Sequence, residues 1–195
     1  MRRAIALVSL LFVFASSVKT PATMTTAADG TRDWTNPNNA KVEDGVFTMA
    51  DFSSGTDDFT YRLQASNFGF SIPNGSTIDG IKLEWKASDV NDLNFLQNFF
   101  QVLEKNGAPG IGYTADGGNE NSALTNTLVF YSAGGATDKW GTTWTTSDIN
   151  GSGFLASITV SNNSVPDPSD IANVDVIKVT VFYTDAAGNK KHIIN

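Results

Sequence analysis

Residues 68–86 constrain the fold most, because they place two apolar runs on either side of a turn signal, Pro73–Gly75. In the second run, apolar residues from Ile81 to Trp85 alternate with charged ones, which is the pattern of a strand with one buried and one solvated face. Proline fixes φ at the start of a turn, and Asn-Gly tolerates the positive φ that tight turns need. The stretch therefore predicts a strand, a tight corner and a longer strand.

The same alternation recurs between loops rich in glycine, asparagine and proline. Further strands are predicted at 46–50, 59–65, 99–105, 124–131, 154–160 and 174–183. The last is rich in Val and Ile, so we expect it to lie centrally and to pack on both faces. Residues 88–98 fit a loop or one short helix, and 140–150 fit a loop leading into a turn. About eight strands separated by turn-rich connectors predict an all-β fold, an antiparallel β-sandwich of the jelly-roll type.

The apolar residues of these runs predict one core between two sheets. The core is expected to contain Tyr61, Leu63, Phe70, Ile81, Leu83, Trp85, Leu128, Phe130, Ile158, Val179 and Val181. A chain of 195 residues that is 41% hydrophobic and 17% charged is typical of one globular domain. Because it has no cysteine, its stability must come from this core or from assembly rather than from disulfides.

The N-terminal segment is expected to be distinct from the domain. Residues 1–22 place two arginines before a short apolar run, as secretory signal peptides do, and the run is too short for a comfortable membrane span. The alternative is a retained apolar arm that docks on a neighbouring subunit. A flexible leader over 23–32, a β-sandwich domain over 33–185 and a C-terminal tail over 186–195 complete the predicted organisation.

The charge of the chain restricts its partners. A formal net charge of −7 gives a surface that repels phosphate, so we expect no nucleic-acid binding. The basic cluster Lys190–His192 is interpreted as a solvated tail. The expected partners are further copies of the chain or other structural proteins, with surface glycans as the alternative. The expected location is extracellular or on a virion surface.

No catalytic residue set is recognisable. His192 lies in the tail, the chain has no thiol, and no glycine-rich phosphate loop is present. Glu84 and Glu104 lie on predicted strands and could share a face, but two surface carboxylates are the preferred interpretation. We therefore expect neither enzymatic activity nor a cofactor. A structural Ca²⁺ is the alternative to ordinary turns at 51–58 and 116–121, where Asp and Asn are plentiful.

Four aromatic residues in predicted loops are the candidate ligand-binding residues: Trp34, Tyr113, Trp140 and Trp144. Exposed rings could stack on sugar faces, whereas a Trp near the end of a sandwich more often closes the core. We expect Trp140 and Trp144 to be chiefly structural. Solvent exposure of the indoles distinguishes the two interpretations.

Several motifs together resemble a β-sandwich domain of phage virion and environmental bacterial surface proteins, over roughly residues 33 to 184. They are Trp34-x-Asn-Pro-x-Asn-Ala40, Asp44-Gly45, Gly69-Phe-x-Ile-Pro-x-Gly-x-Thr-Ile-x-Gly-Ile81, Asp138-x-Trp-Gly-x-x-Trp-Thr145 and Val-x-Val-x-Tyr183. The resemblance implies a non-enzymatic structural or surface-attachment module and carries over no catalytic residues. The first functional hypothesis is thus a structural or surface-display protein, and the alternative is a carbohydrate-binding module of a secreted bacterial protein.

Overall fold

Two antiparallel sheets make up the fold. The computed structural model describes residues 15–52, 59–90, 96–106, 112–114, 122–162 and 170–187, without the side chains of 15–17 and 112–114. Its strands are β1 Ala15–Lys19, β2 Thr23–Ala27, β3 Thr48–Asp51, β4 Arg62–Ser66, β5 Thr77–Asp89, β6 Leu96–Glu104, β7 Gly112–Thr114, β8 Val129–Gly134, β9 Leu155–Asn162 and β10 Ile171–Thr184. One 3₁₀ turn, Pro37–Ala40, and one short helix, α1 Thr146–Asn150, complete the described elements.

The strand order confirms the predicted antiparallel sandwich. Sheet A has the order β1-β10-β5-β8, with β3 also paired to β10, and sheet B has the order β2-β4-β9-β6-β7. From β4 onward the chain crosses repeatedly from one sheet to the other, which is the connectivity of jelly-roll folds. The last strand is central, as predicted, because β10 pairs with β5 along one edge and with β3 and β1 along the other.

The core lies between the sheets and contains most of the predicted residues. Leu63, Phe70, Ile81, Leu83, Trp85, Ile158, Val179 and Val181 are buried, and Tyr61 packs against them half-buried. In the long strand β5, Leu83 and Trp85 face inward while Lys82 and Glu84 remain partly exposed. The alternation of apolar and charged residues in 81–86 thus correctly predicted which face of β5 is buried.

The prediction for the strand at 124–131 was wrong about which face is buried. Phe130, predicted to be in the core, is 45% exposed, and Leu128 is only half-buried. Tyr131 points inward instead, where its ring stacks on Trp85 with centroids 6.0 Å apart. Its hydroxyl accepts a hydrogen bond from the backbone N of Thr125 (3.0 Å), which lies in the turn before β8. Since the strand begins only at Val129, the residues from 124 to 128 follow a different path and do not share its alternation.

The first of the two strands predicted in 68–86 does not form. Asn67 and Gly69 have positive φ values of 54° and 67°, which interrupt an extended run. The backbone of Ile72 pairs instead with the side chain of Asn150, whose Oδ1 accepts from Ile72 N and whose Nδ2 donates to Ile72 O, both at 2.9 Å. A side-chain amide therefore takes the place of a neighbouring strand, while Phe70 still reaches the core.

A short helix replaces the turn expected within 140–150. The Thr145 side chain accepts a hydrogen bond from Asp148 N (3.1 Å), and Asp148 Oδ2 accepts one from Thr145 N (2.8 Å). This reciprocal pair is a capping box, which satisfies backbone donors that a helix start leaves free.

The segment predicted as a flexible leader belongs to the sandwich. Residues 23–27 form β2, the edge strand of sheet B, paired to β4. Just before it, Ala15–Lys19 form β1, paired to β10 of the same chain in sheet A. Residues 1–14 lie outside the described part of the chain, and cleavage within 1–22 stays a prediction.

Candidate functional site

The three tryptophans predicted as ligand contacts are in the interior. Trp34, Trp140 and Trp144 are 3%, 0% and 6% exposed. Their indole N–H groups donate to the backbone oxygens of Tyr61 (2.8 Å), Ile81 (2.8 Å) and Lys139 (2.9 Å), respectively. These indoles therefore present no open platform for a ligand, and their burial agrees with the structural interpretation. Tyr113 lies in β7, outside the part of the chain whose side chains are described.

The two glutamates that could have shared a face lie in different sheets. Glu84 is in β5 of sheet A, where its carboxylate binds Lys82 Nζ at 2.6 Å. Glu104 ends β6 of sheet B. The carboxylate pair considered from the sequence is therefore absent.

The face of sheet B that points away from the core carries the candidate site. Paired residues of antiparallel strands share a face, so the core residues Leu63 and Ile158 define the inner face. The outer sheet-B face is formed by residues that alternate with them, including Arg62, Gln64, Phe100, Val102, Glu104, Leu155, Ser157 and Thr159. Of these, Glu104, Ser157 and Thr159 are buried. The outer sheet-B face combines polar, charged and aromatic side chains, and the register of β6 against β9 shifts between Asn98 and Phe100.

A cavity of about 200 Å³ opens on the outer sheet-B face. It is lined by Asp29, Phe59, Thr60, Arg62, Phe100, Val102 and Thr159. Phe100 is 44% exposed, and its ring lies 4.1 Å from that of Phe99, centroid to centroid. Phe99 in turn packs 6.0 Å from Phe59. The cavity thus has an aromatic side held in place by neighbouring rings.

Arg62 forms the polar side of the cavity. Its Nε binds the carboxylate of Asp29, and its Nη1 binds Glu104 Oε1. Asp29 also accepts a hydrogen bond from the backbone N of Arg62 at 3.1 Å. Since a guanidinium has five N–H donors, these two carboxylate contacts hold the group rigidly and leave other donors for a ligand.

Glu104 lies beneath this arginine and is fully buried. Burial raises the pKa of Glu104 above its ordinary value, although the charge of Arg62 and the amide of Gln64, 3.5 Å from Oε1, act in the opposite direction. The hydroxyl of Ser157 lies close enough to lower the pKa slightly, but it reaches no hydrogen-bond geometry with a described residue. The site therefore contains a carboxyl group whose charge is costly to maintain.

The arrangement is suited to binding. Asp29 lines the cavity and Glu104 is buried next to it, and both carboxylates contact the same guanidinium, so these two do not form a free acid and nucleophile on either side of a ligand. An exposed ring beside a fixed set of N–H donors provides an apolar contact and orienting hydrogen bonds, as ligand sites commonly do.

Sequence reasoning did not find this site, although one signal for it existed. The alternation in 59–65 places Arg62 on the solvated face of its strand. Asp29 lies in the segment predicted as a leader. Phe100 lies in a predicted strand, and no binding role was predicted for it. The three residues meet because β4 and β6 both pair with β9, a relation that no local pattern contains.

The described residues were compared with the predictions of a Ca²⁺ site and of no membrane span. In the described ranges no group of three or more His, Cys, Asp or Glu side chains is placed to hold a metal ion. Of the predicted Ca²⁺ segments, Asp51 lies in β3, whereas 53–58 and 116–121 lie outside the description. No helix within the described part is long and apolar enough to cross a membrane.

Comparison with known proteins gives structural similarities alone. No family model and no curated protein sequence matches the chain. Among similar solved structures are a xylan-binding domain from Paenibacillus barcinonensis (10% identity, TM-score 0.44, covering 87% of this chain and 96% of that one) and the second N-terminal cellulose-binding domain of Cellulomonas fimi β-1,4-glucanase C (13%, 0.41, 87% and 96%). A cleaved adhesin domain of Lys-gingipain from Porphyromonas gingivalis is another (13%, 0.36, 85% and 99%). At TM-scores this low, the similarities establish neither a family nor a ligand for this chain.

Proposed function

We propose that this protein is a non-catalytic glycan-binding β-sandwich that holds a polysaccharide chain on its outer sheet-B face. The observation that carries the proposal is the pairing of the exposed Phe100 ring with the anchored Arg62 guanidinium at one cavity. A sugar ring offers an apolar C–H face and a rim of hydroxyls. The aromatic side of the cavity suits the first, and the guanidinium donors suit the second.

The size of the cavity suits one part of an extended ligand. At about 200 Å³ it is smaller than the roughly 300–1,000 Å³ of pockets that enclose drug-sized molecules. The cavity opens beside Phe100, whose ring is exposed, so a polymer can place one unit in it and extend past this ring. Gln64, half-buried on the same face, provides a further polar group.

The charge of the site favours neutral glycans. Arg62 is matched by Asp29 and Glu104, so the three groups together carry a negative charge when both carboxyl groups are ionised. The net charge of the chain, −7, adds long-range repulsion of acidic polymers. Glycans that carry carboxylate or sulfate groups should therefore bind less well than neutral ones. A glycan-binding role also agrees with the predicted extracellular location, which remains part of the proposal.

Two phenylalanines allow a matched test on the full chain. Phe100 and Phe130 are almost equally exposed, at 44% and 45%, but lie in sheets B and A. We expect Phe100→Ala to weaken binding to a neutral polysaccharide about tenfold or more, as for loss of an aromatic contact worth about 1.4 kcal/mol or more. Phe130→Ala should leave binding unchanged. Isothermal titration with xylan and soluble cellulose oligosaccharides, beside acidic alginate, provides the measurement.

Two results would contradict the proposal. One is absence of binding to every neutral polysaccharide tested, and the other is an equal loss of affinity in both variants. Thermal melts of the two variants show whether a loss of binding comes from loss of the fold.

A structural or surface-display role is the second candidate. Three valines on the sheet-A side of the molecule, Val18, Val42 and Val46, are 43%, 58% and 54% exposed, and exposed apolar side chains favour contact with another copy or protein. Light scattering of the full chain distinguishes the candidates: a stable oligomer that binds no glycan favours assembly, and a glycan-binding monomer favours the first proposal.

A further inference from the structure

The tripeptide Asn-Gly-Ser occurs twice in the chain, at 74–76 and at 150–152. Asparagine followed by glycine is the pair in which the asparagine side chain reacts most readily with the backbone, because glycine has no Cβ to hinder the approach. Both asparagines are exposed, and so are the glycines that follow them. The two sites therefore match in sequence and in exposure, and they differ in the hydrogen bonds that their reacting groups make.

Asn74 and Gly75 are the central residues of a tight turn before β5. The backbone N of Ser76 donates to Pro73 O at 3.2 Å, and Gly75 has a positive φ of 81°. This closing bond uses neither the Asn74 side chain nor the backbone N of Gly75. Among the described residues, no hydrogen bond is made by either of these two groups. Nothing in the turn therefore holds the amide and the Gly75 nitrogen apart.

Asn150 ends α1, and both of the corresponding groups are bound there. Its side-chain amide accepts from Ile72 N and donates to Ile72 O, both at 2.9 Å. The backbone N of Gly151 donates to Ser147 O at 3.1 Å. The amide must leave Ile72, and Gly151 N must leave the helix, before the two can meet. Three hydrogen bonds thus restrain the reacting groups at this second site.

We propose that Asn74 is a site of spontaneous deamidation and that the fold protects Asn150 from the same reaction. The backbone nitrogen of Gly75 attacks Cγ of Asn74 and forms a C–N bond. The side-chain nitrogen leaves as ammonia and takes the proton of the Gly75 N–H, so that a five-membered succinimide ring remains. Water then opens the ring at one of its two carbonyl groups and leaves aspartate or isoaspartate at position 74. No atom is oxidised or reduced in either step.

The protected asparagine is the one whose side chain the fold uses. A carboxylate at position 150 would place an acceptor oxygen opposite Ile72 O, where the amide nitrogen now donates. At position 74 the new carboxylate is solvated, and the bond that closes the turn joins only the backbones of Pro73 and Ser76. The product adds one negative charge to a chain whose formal charge is −7. Chains deamidated at Asn74 therefore stay folded and accumulate as a more acidic form.

The test is incubation of the full chain at mildly alkaline pH, followed over time by anion exchange and by mass spectrometry of its peptides. In the folded protein we expect Asn74 to convert about tenfold faster than Asn150 or more, because three hydrogen bonds must open at Asn150 and tenfold corresponds to only about 1.4 kcal/mol. In concentrated urea the two rates should become similar, since the Asn-Gly-Ser sequences are identical.

Three variants complete the test. Asn74→Gln should remove the acidic form that arises at the turn, because a glutamine side chain would have to close a larger ring. Asn74→Asp should melt like the unchanged protein. Asn150→Asp should lower the melting temperature by about 2 °C or more, since it loses the donor to Ile72 O.

Similar rates for Asn74 and Asn150 in the folded chain would overturn the proposal, because the hydrogen bonds at Asn150 would then give no protection. Persistence of unmodified Asn74 in the folded chain would overturn it as well. An Asn150→Asp variant as stable as Asn74→Asp would show that the bonds to Ile72 do not hold the amide, and the explanation for protection would fail.

Discussion

Trp85 and Asn98 join the two sheets through a hydrogen bond inside the core, with indole Nε1 donating to Asn98 Oδ1 at 2.9 Å. Trp85 lies in β5 of sheet A and Asn98 in β6 of sheet B, and both side chains are buried. A tryptophan placed at the centre of a sandwich needs an acceptor for its N–H, and the opposite sheet supplies it. The bond therefore fixes how the sheets face each other as well as satisfying a polar group.

Replacing Asn98 by Leu should destabilise the protein by about 1–3 kcal/mol, since it leaves a buried N–H without an acceptor. Trp85→Phe should also be costly because it removes packing volume. The double variant should cost less than the two single changes added together, as the unpaired donor is absent from it. Urea unfolding of the four proteins gives the comparison, and strict additivity would show that the hydrogen bond contributes nothing.

Leu83→Ala and Phe130→Ala should differ clearly in stability. Leu83 is fully buried, so its truncation should cost about 2–5 kcal/mol. Phe130 is 45% exposed, and its ring centroid lies 4.6 Å from Lys178 Nζ and 5.8 Å from Lys86 Nζ, so its loss should cost less than about 1 kcal/mol. Equal costs in chemical denaturation would mean that the inward face of β8 has been misassigned.

Gly134→Ala should destabilise the protein by at least about 1–3 kcal/mol, whereas Gly135→Ala should be nearly neutral. Gly134 has φ of 74°, and a Cβ on it would lie 2.5 Å from Trp140 Nε1. A Cβ on Gly135 would meet nothing within 4 Å. Comparison of the two variants thus distinguishes the cost of the positive φ and the close approach at Gly134 from the general effect of adding a methyl group. Similar melting temperatures for both variants would argue against this account.

Glu104 should make the protein's stability depend on pH in an unusual direction. Burial raises the pKa of Glu104 in the folded state, so the buried charged form lowers the free energy of unfolding at neutral pH. This loss of stability disappears as pH falls through the raised pKa and the carboxylate becomes protonated. Relative to Glu104→Gln, the unchanged protein should therefore gain stability between pH 7 and the pKa of an unfolded glutamate, about 4.3. Denaturation of both proteins across this range tests the sign. A relative loss of stability on acidification would show that the ion pair with Arg62 dominates.

Trp144→Ala should lower the melting temperature and leave glycan binding intact in the molecules that remain folded. The indole is buried against Phe154, edge to face with centroids 5.6 Å apart, and does not line the cavity on the outer sheet-B face. Phe100→Ala should behave in the opposite way, with binding lost and the melt unchanged. If Trp144→Ala abolished binding without shifting the melt, a ligand role for Trp144 would replace the structural one.

The sequence alone determined the fold class, the inward face of β5 and the central place of β10. These features rest on local alternation of apolar and polar residues, and the pleat of a strand converts that alternation directly into faces. The sequence likewise indicated that Trp140 and Trp144 would close the core rather than bind.

Only the tertiary structure decided where the candidate site lies. Asp29, Arg62 and Phe100 are separated along the chain. They meet because the order β2-β4-β9-β6 places the end of β2, which Asp29 follows, and the strands of Arg62 and Phe100 in one sheet. The reversed face of β8 and the loss of a strand at 68–72 have the same origin, since Tyr131 and Asn150 take partners that are distant in sequence or outside the strand pattern. The free energy of the whole sandwich determines which remote segments pair. The alternation within one segment shows which of its faces is buried, but it does not show which strand lies beside it.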